Sequence, residues 1–159
     1  MILVVGGAAQ GKRRFAEERL RECSGSADGK PVSGSVGETA EKILWSDGRT
    51  ASLEAFARSR FCCNFHLLVR RILSEDSSLG MFGFWKKAEE ESFPAIMASW
   101  LLEKRPDRIL VTDEIGCGIV PLEPFERRYR EQTGRICCEL AKRAEQVWRI
   151  SCGLGQRIK

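Results

Sequence analysis

The run ILVVGGAAQGKRRFAEERL, from Ile2 to Leu20, restricts the fold more than any other part of the chain. Ile2–Val5 is a short continuous apolar run closed by Gly6 and Gly7, which describes a strand buried on both faces. From Gly11 to about Arg21 helix formers dominate, with Phe15, Ala16 and Leu20 able to face inward. A strand that passes through a glycine turn directly into a helix begins a parallel α/β arrangement. Within the turn, Gly6, Gly11 and Lys12 keep the spacing G-x-x-x-x-G-K of a phosphate-binding loop.

That spacing has a chemical reason. Glycines let the backbone curl so that successive N–H groups meet phosphate oxygens. The helix starting near Gly11 adds the positive end of its dipole, and Lys12 carries a full charge to the β- and γ-phosphates. Gly6, Gly7, Ala8, Ala9, Gln10, Gly11 and Lys12 are therefore expected to bind a nucleoside triphosphate, ATP or GTP. The next residue is normally Ser or Thr, whose hydroxyl holds magnesium; here it is Arg13. A guanidinium cannot ligate a cation. Arg13 either donates a bidentate hydrogen bond to phosphate or points to solvent.

A second apolar run, Arg108–Thr112, ends in Asp113 and Glu114. Parallel-sheet folds gather ligands beyond the carboxyl ends of their strands, so these two acids are the expected magnesium ligands, one of them through a water. The other would orient or deprotonate an attacking hydroxyl, and the sequence does not assign which does which.

The remaining pattern alternates in the same way. Lys42–Trp45 reads as a short strand ending in the turn Ser46–Asp47–Gly48. Thr50 or Ser52 then caps a helix with Glu54 in its first turn. Phe65, Leu68, Val69, Ile72 and Leu73 form an amphipathic stripe, which SEDSSLG breaks, and Phe93, Ile96, Met97, Trp100 and Leu101 form another. A long helix with Phe125, Tyr129, Ile136, Leu140 and Ala144 inward precedes a last strand, Val147–Ser151. Cys23–Gly37 reads as a loop. The expected fold is one P-loop NTPase-like domain over 1–159, mainly parallel sheet with helices on both faces.

Two groups of residues are candidates for the acceptor side. Asp47 and Arg49 follow a strand end. His66 and Arg70 are four apart on one helix face and could line an anion or corrinoid pocket; a structural histidine is the plainer reading. Trp45, Trp85 and Trp100 could stack on a flat ligand, Trp100 being the most core-like by its spacing.

The net charge of +4 is mild and spread along the helices, so nucleic acid is not an expected partner. No apolar run approaches the ~18 residues that span a membrane, and the N-terminal run reads as a strand, not a signal peptide. Seven cysteines with no C-x-x-C pair suggest thiols in a reducing cytoplasm.

The two ends of the chain resemble one family. MILVVGGAAQGKRRFAEE is similar to the opening ILVTGGARSGKS of the bifunctional adenosylcobinamide kinase / adenosylcobinamide-phosphate guanylyltransferases. ILVTDEIGCGIVPLEPFERRYREQTGRICCELAKRAEQVWRISCGLGQRIK, about a third of the chain, resembles that family's VTNEVGxGIVP, its arginine-rich helix and its closing VWxVxxGxPxxxK. The resemblance implies a P-loop kinase in cobalamin biosynthesis, with ATP or GTP and Mg2+, a corrinoid or other small hydroxyl acceptor, and a homo-oligomer such as a trimer. Glu114 matches the family's strand-end glutamate, and Asp113 stands where the family usually has Asn. Arg127, Arg128, Arg130 and Arg135 match a basic helix that could meet phosphates or neighbouring subunits. The family's guanylyltransfer step uses a histidine nucleophile, whose segment is not visible between Cys23 and Arg49. A catalytically degenerate regulator, or a kinase with another acceptor, is the alternative reading.

Overall fold

A computed structural model describes residues 1–25, 43–77 and 91–159. Eleven elements occur among them: β1 (Ile2–Gly6), α1 (Lys12–Gly25), β2 (Ser46–Asp47), α2 (Leu53–Arg58), β3 (Phe61–Cys63), α3 (Phe65–Leu73), α4 (Phe93–Lys104), β4 (Ile109–Asp113), α5 (Pro124–Arg143), β5 (Gln146–Ser151) and β6 (Leu154–Arg157). The sheet order is β2-β3-β4-β1-β5-β6. Every pairing is parallel except β5 with β6.

The strand period of two divides the apolar residues between the sheet's faces. Leu3, Cys62, Leu110 and Val147 turn to one side, where they meet Phe56 of α2, Phe65, Leu68 and Val69 of α3, Met97 and Leu101 of α4, and Ile136 and Leu140 of α5. Val4, Ile109, Val111 and Ile150 turn to the other, with Ala16 and Phe15 of α1. β1 lies between β4 and β5, in register Val4↔Val111 and Val4↔Trp148, so its run is apolar on both faces. The expected α/β architecture holds.

Several local expectations change. Trp45 and the residues just before it are not in a strand; β2 is Ser46–Asp47, at the expected turn. Its pairing with Cys62 and Cys63 fixes that register. β3, hidden in FCC, was not expected, nor was β6. The β5–β6 connection has positive φ at Cys152 (51°) and Gly153 (80°), as a two-residue hairpin turn of mirror type requires. Helix α1 continues to Gly25, so the expected loop at Cys23–Gly37 begins later, and its remainder lies outside the described residues. The Leu20 side chain, Trp85 and the end of SEDSSLG also lie outside them. Ser52, not Thr50, caps α2: its hydroxyl accepts the Ala55 N–H at 3.3 Å.

Arg108, at the entrance to β4, is fully buried. Its Nη2 donates to the Ala57 and Leu101 carbonyls at 2.6 Å each, and its Nε to the Arg105 carbonyl at 2.9 Å. The Ala57 and Leu101 carbonyls, in the last turns of α2 and α4, thus receive a side-chain donor.

Candidate functional site

The glycine-rich loop spans the gap between β1 and α1. Gly6 must be a glycine, because an added Cβ would run into the Ile150 carbonyl of β5. Gly11 has φ 80° and Ala9 has φ 56°; an alanine in the left-handed region costs roughly 1–2 kcal/mol. The loop is anchored from outside: Gln10 accepts from the Gly153 N–H at 3.0 Å through its carbonyl, and from the Cys152 N–H through its side chain. The terminal hairpin therefore braces the loop, a role that CGLGQ did not announce.

Lys12 opens α1 and is buried. Its Nζ donates to the Gly7 carbonyl at 2.5 Å and lies 2.7 Å from Asp113 Oδ1. Register explains the meeting, since Gly6 at the end of β1 pairs with Asp113 at the end of β4.

His66 stands on the other side of Asp113. β3 ends at Cys63, and Asn64, in the left-handed conformation (φ 54°), turns the chain at once into α3. His66 falls in the first turn of that helix, where backbone N–H groups lack intrahelical partners. Its N–H goes to Thr112 Oγ1 at 3.2 Å. Its ring Nδ1 accepts the Asp113 N–H at 3.2 Å, and Nε2 lies 3.8 Å from Asp113 Oδ2. Burial holds the imidazole below its ordinary pKa; Asp113 and Asp47 oppose that shift, while Lys12 and Arg49 reinforce it.

Asp47 and Arg49 sit on the same rim. Asp47 Oδ1 accepts from Asn64 Nδ2 and from the Arg49 N–H, both at 2.9 Å. Lys12, Asp47, Arg49, His66 and Asp113 therefore share the carboxyl-end crevice of β1, β2, β3 and β4, where ligands of parallel sheets bind.

Other candidates face elsewhere. Glu114 follows the last residue of β4, and its carboxylate lies 3.5 Å from Arg149 Nη2. Arg70 is paired with Glu126 of α5 at 2.5 Å, beside the rings of Phe125 and Tyr129. Arg13 Nε lies 3.3 Å from Glu17 Oε1, and its guanidinium lies over the Trp45 ring at 5.2 Å. Trp45 Nε1 donates to the same Glu17 oxygen at 2.7 Å. Trp100 packs against the core.

The arginines of α5 have local partners. Arg127 donates to the Pro121 and Leu122 carbonyls and Arg130 to that of Ile119, while Arg135 pairs with Glu131. The first two fasten the loop between β4 and α5, leaving Ile119 and Leu122 more than nine-tenths exposed.

For magnesium, the donor chemistry near Lys12 fits a carboxylate ligand. Asp113 stands beside the ammonium that would meet the β- and γ-phosphates. Among the described residues no group of three or more His, Cys, Asp or Glu side chains is arranged to hold a metal ion by itself, and magnesium at nucleotide sites takes most of its ligands from phosphate and water.

A parallel sheet with a glycine loop and lysine at its central strand defines a P-loop NTPase-like protein. Residues 65–158 match the family described as cobinamide kinase / cobinamide phosphate guanyltransferase, and the chain belongs to that family. It is 27% identical over 185 residues to the bifunctional adenosylcobalamin biosynthesis protein CobU of Salmonella typhimurium, covering 100% of this chain and 99% of that protein. It is 29% identical over 170 residues to the corresponding protein CobP of Pseudomonas aeruginosa, covering 99% and 96%. Over 51 residues, 32% of this chain and 28% of the relative, it is 43% identical to CobU of Escherichia coli. No helix among the described residues is long and apolar enough to cross a membrane.

The sequence reading missed the contact between His66 and Asp113. No local signal announced it: FCC is too short a run to mark β3, beyond whose carboxyl end His66 falls.

Proposed function

We propose that this protein is a P-loop kinase that transfers the γ-phosphoryl group of ATP or GTP to the hydroxyl of adenosylcobinamide or a related corrinoid. The observation that carries the reading is the buried Lys12 ammonium, 2.7 Å from Asp113 at the mouth of the glycine loop. In this reading residues Gly6–Lys12 wrap the polyphosphate, and Lys12 exchanges Asp113 for phosphate oxygens. Asp113 would hold magnesium, directly or through a water, and bound Mg2+ would neutralise charge on the phosphates. Asp47 and Arg49 line the acceptor side. The acceptor hydroxyl oxygen bonds to the γ-phosphorus, the bond from that phosphorus to the bridging oxygen breaks, and ADP or GDP leaves. The hydroxyl proton passes to a carboxylate, the role we assign to Asp113 at the end of β4. Positioning and charge stabilisation supply most of the acceleration.

The guanylyl half of the family's chemistry finds less support here. A histidine nucleophile must offer a ring lone pair to the α-phosphorus. His66 is the only histidine in the sequence, and its Nδ1 lone pair already accepts the Asp113 N–H. The exposed Ile119, Val120 and Leu122 fit burial against another copy, which light scattering tests.

Incubation with MgATP or MgGTP and cobinamide should consume nucleotide and acceptor together. No turnover with either nucleotide removes the kinase reading. One observation favours a second reading, a nucleotide-binding regulator without turnover: Arg13 replaces the hydroxyl and turns to Glu17 and Trp45. Calorimetry distinguishes the two, because the regulator binds triphosphate while cobinamide stays unphosphorylated.

A further inference from the structure

We propose that Gln10 is a positioning residue for the phosphate loop: the turn at Cys152 and Gly153 grips both of its carbonyl oxygens and so sets the Gln10–Gly11 peptide for a polyphosphate before one arrives. This rests on the nucleotide-binding reading of the loop, and it makes the β5–β6 hairpin part of the nucleotide site.

The hairpin has two amides to spare. Ser151 pairs with Leu154 across a two-residue turn, so the N–H groups of Cys152 and Gly153 are left outside the ladder. Both residues are in the left-handed region, at φ 51° and 80°, and successive N–H groups in such a turn form a concavity that takes oxygen. Gln10 fills it twice. Its main-chain carbonyl accepts the Gly153 N–H at 3.0 Å, and its side-chain Oε1 accepts the Cys152 N–H. Phe15 ties the same hairpin to α1. Its ring lies 5.2 Å from that of Trp148 and occupies the place where a side chain on Gly155 would stand.

A peptide plane carries this grip into the loop. The C=O and N–H of a trans peptide point in opposite directions. With the Gln10 carbonyl fixed on the hairpin, the Gly11 N–H points away from it, and it has no acceptor among the described residues. Gly11 immediately precedes Lys12, so this free donor opens beside the ammonium expected to meet the β- and γ-phosphates. Ala9 and Gly11, on either side of Gln10, both have positive φ (56° and 80°), and a non-glycine residue keeps that conformation only where its surroundings impose it. A loop already held in the shape a polyphosphate needs loses less freedom on binding, so the gain appears as affinity. Gln10 thus acts through the Gly11 amide and takes no part in the chemistry.

Through-bond NMR couplings across hydrogen bonds of the full-length protein test the arrangement directly. A coupling from the Gly153 nitrogen to the Gln10 carbonyl carbon is expected without ligand and should persist at saturating tripolyphosphate. Its absence in the free protein, or its loss on saturation, overturns the proposal. The Gly11 amide proton should move downfield as tripolyphosphate binds, and a resonance that stays in place is the contrary result. By calorimetry Gln10→Met, which keeps the side chain's length and removes its oxygen, should weaken tripolyphosphate binding roughly 3- to 10-fold, the range one hydrogen bond carries. The thermal midpoint should change little, and an unchanged affinity overturns the proposal. If that variant does not fold, Gly153→Ala takes its place: alanine at φ 80° strains the turn although no atom opposes its Cβ. The same loss is expected, and wild-type affinity is again the contrary result. In turnover assays Gln10→Met should raise the nucleotide KM by the same factor and leave kcat within about twofold, the mark of lost uniform binding. A fall in kcat alone overturns the positioning role. Wild-type protein that binds tripolyphosphate but phosphorylates no acceptor removes the kinase reading, and the couplings and affinities then decide the inference. Wild-type protein that binds no tripolyphosphate removes the nucleotide-binding reading, and the proposal falls with it.

Discussion

Strand β4 is preceded by a buried cation and ends with an anion, and the two are handled differently. Arg108, just before its start, is surrounded by main-chain carbonyls from Ala57, Leu101 and Arg105. Asp113, at its end, is held by Lys12 and faced by His66. Carbonyls fixed at helix ends cannot leave, so Arg108 is locked in every state of the folded chain. An ammonium on a flexible stem can be drawn off by a stronger anion. Five residues apart, a charge with permanent dipoles serves the fold, and under the proposed function a charge with an exchangeable partner serves the site.

Lys12→Ala challenges that distinction most severely. Removing one preorganised donor from charge developing in a transition state typically costs about 10²–10³ in rate, so kcat/KM for cobinamide phosphorylation should fall by that order. The thermal midpoint of the ligand-free protein should move little, because Asp113 is partly exposed and keeps His66 beside it. A large loss of stability would make Lys12 a structural cation like Arg108.

Arg108→Met is the mirror experiment. It strips three carbonyls of a side-chain donor, and a buried acceptor left unsatisfied costs about 1–3 kcal/mol. Leu101 keeps the Arg105 N–H, so a net loss of roughly 2–4 kcal/mol in denaturant midpoint is expected. Nucleotide affinity of the folded protein should be unchanged. A weaker affinity at full folding would mean that β4 transmits strain from one end to the other.

A subtler test splits the two acids. In Asp113→Asn the competitor for Lys12 is gone, so triphosphate should bind several-fold more tightly while kcat falls, a split that calorimetry and steady-state kinetics read separately. Glu114→Gln, which loses only an exposed pair with Arg149, should change both by less than about threefold, in keeping with the small worth of exposed ion pairs. Equal effects from the two substitutions would show that their different partners do not separate their roles.

How much of this was visible in the residues follows from what each pattern encodes. Ile2–Val5 and Ile109–Val111 are apolar on both sheet faces, so continuous runs marked them as buried strands and placed Asp113 at a strand end. The five-residue spacing from Gly6 to Gly11 marked the loop. β3 was not legible because three residues are too few for any period, and phenylalanine and cysteine occur equally in buried helices. β6 is exposed along its whole length and has no apolar signature; only Cys152–Gly153 marked its turn. The contact between His66 and Asp113 joins residues 47 positions apart, and no local pattern carries such a distance. That Asp113 and Glu114 have different partners, Lys12 and Arg149, was not legible either, because both lie at the end of β4 and their partners come from distant parts of the chain.

Arg13→Ser carries the smallest expected effect and bears on the loop's unusual residue. The guanidinium is more than half exposed and has two partners, Glu17 at 3.3 Å and the Trp45 ring at 5.2 Å. An exposed ion pair and an exposed cation–π contact are each worth roughly 0.5–1 kcal/mol or less, and here they share one side chain. Loss of Arg13 should therefore lower stability by no more than about 1 kcal/mol. Glu17 keeps the Trp45 Nε1 hydrogen bond at 2.7 Å, so Trp45 should stay in place, and tryptophan fluorescence checks that directly. The new hydroxyl would stand where P-loops carry a magnesium ligand, and the concentration of Mg2+ giving half-maximal turnover should fall. An unchanged magnesium dependence would mean that Asp113 and the phosphates already complete the ion's surroundings, and that this loop works without the hydroxyl. A large drop in nucleotide affinity would instead show that Arg13 leaves Glu17 for phosphate, making it a second exchangeable cation beside Lys12.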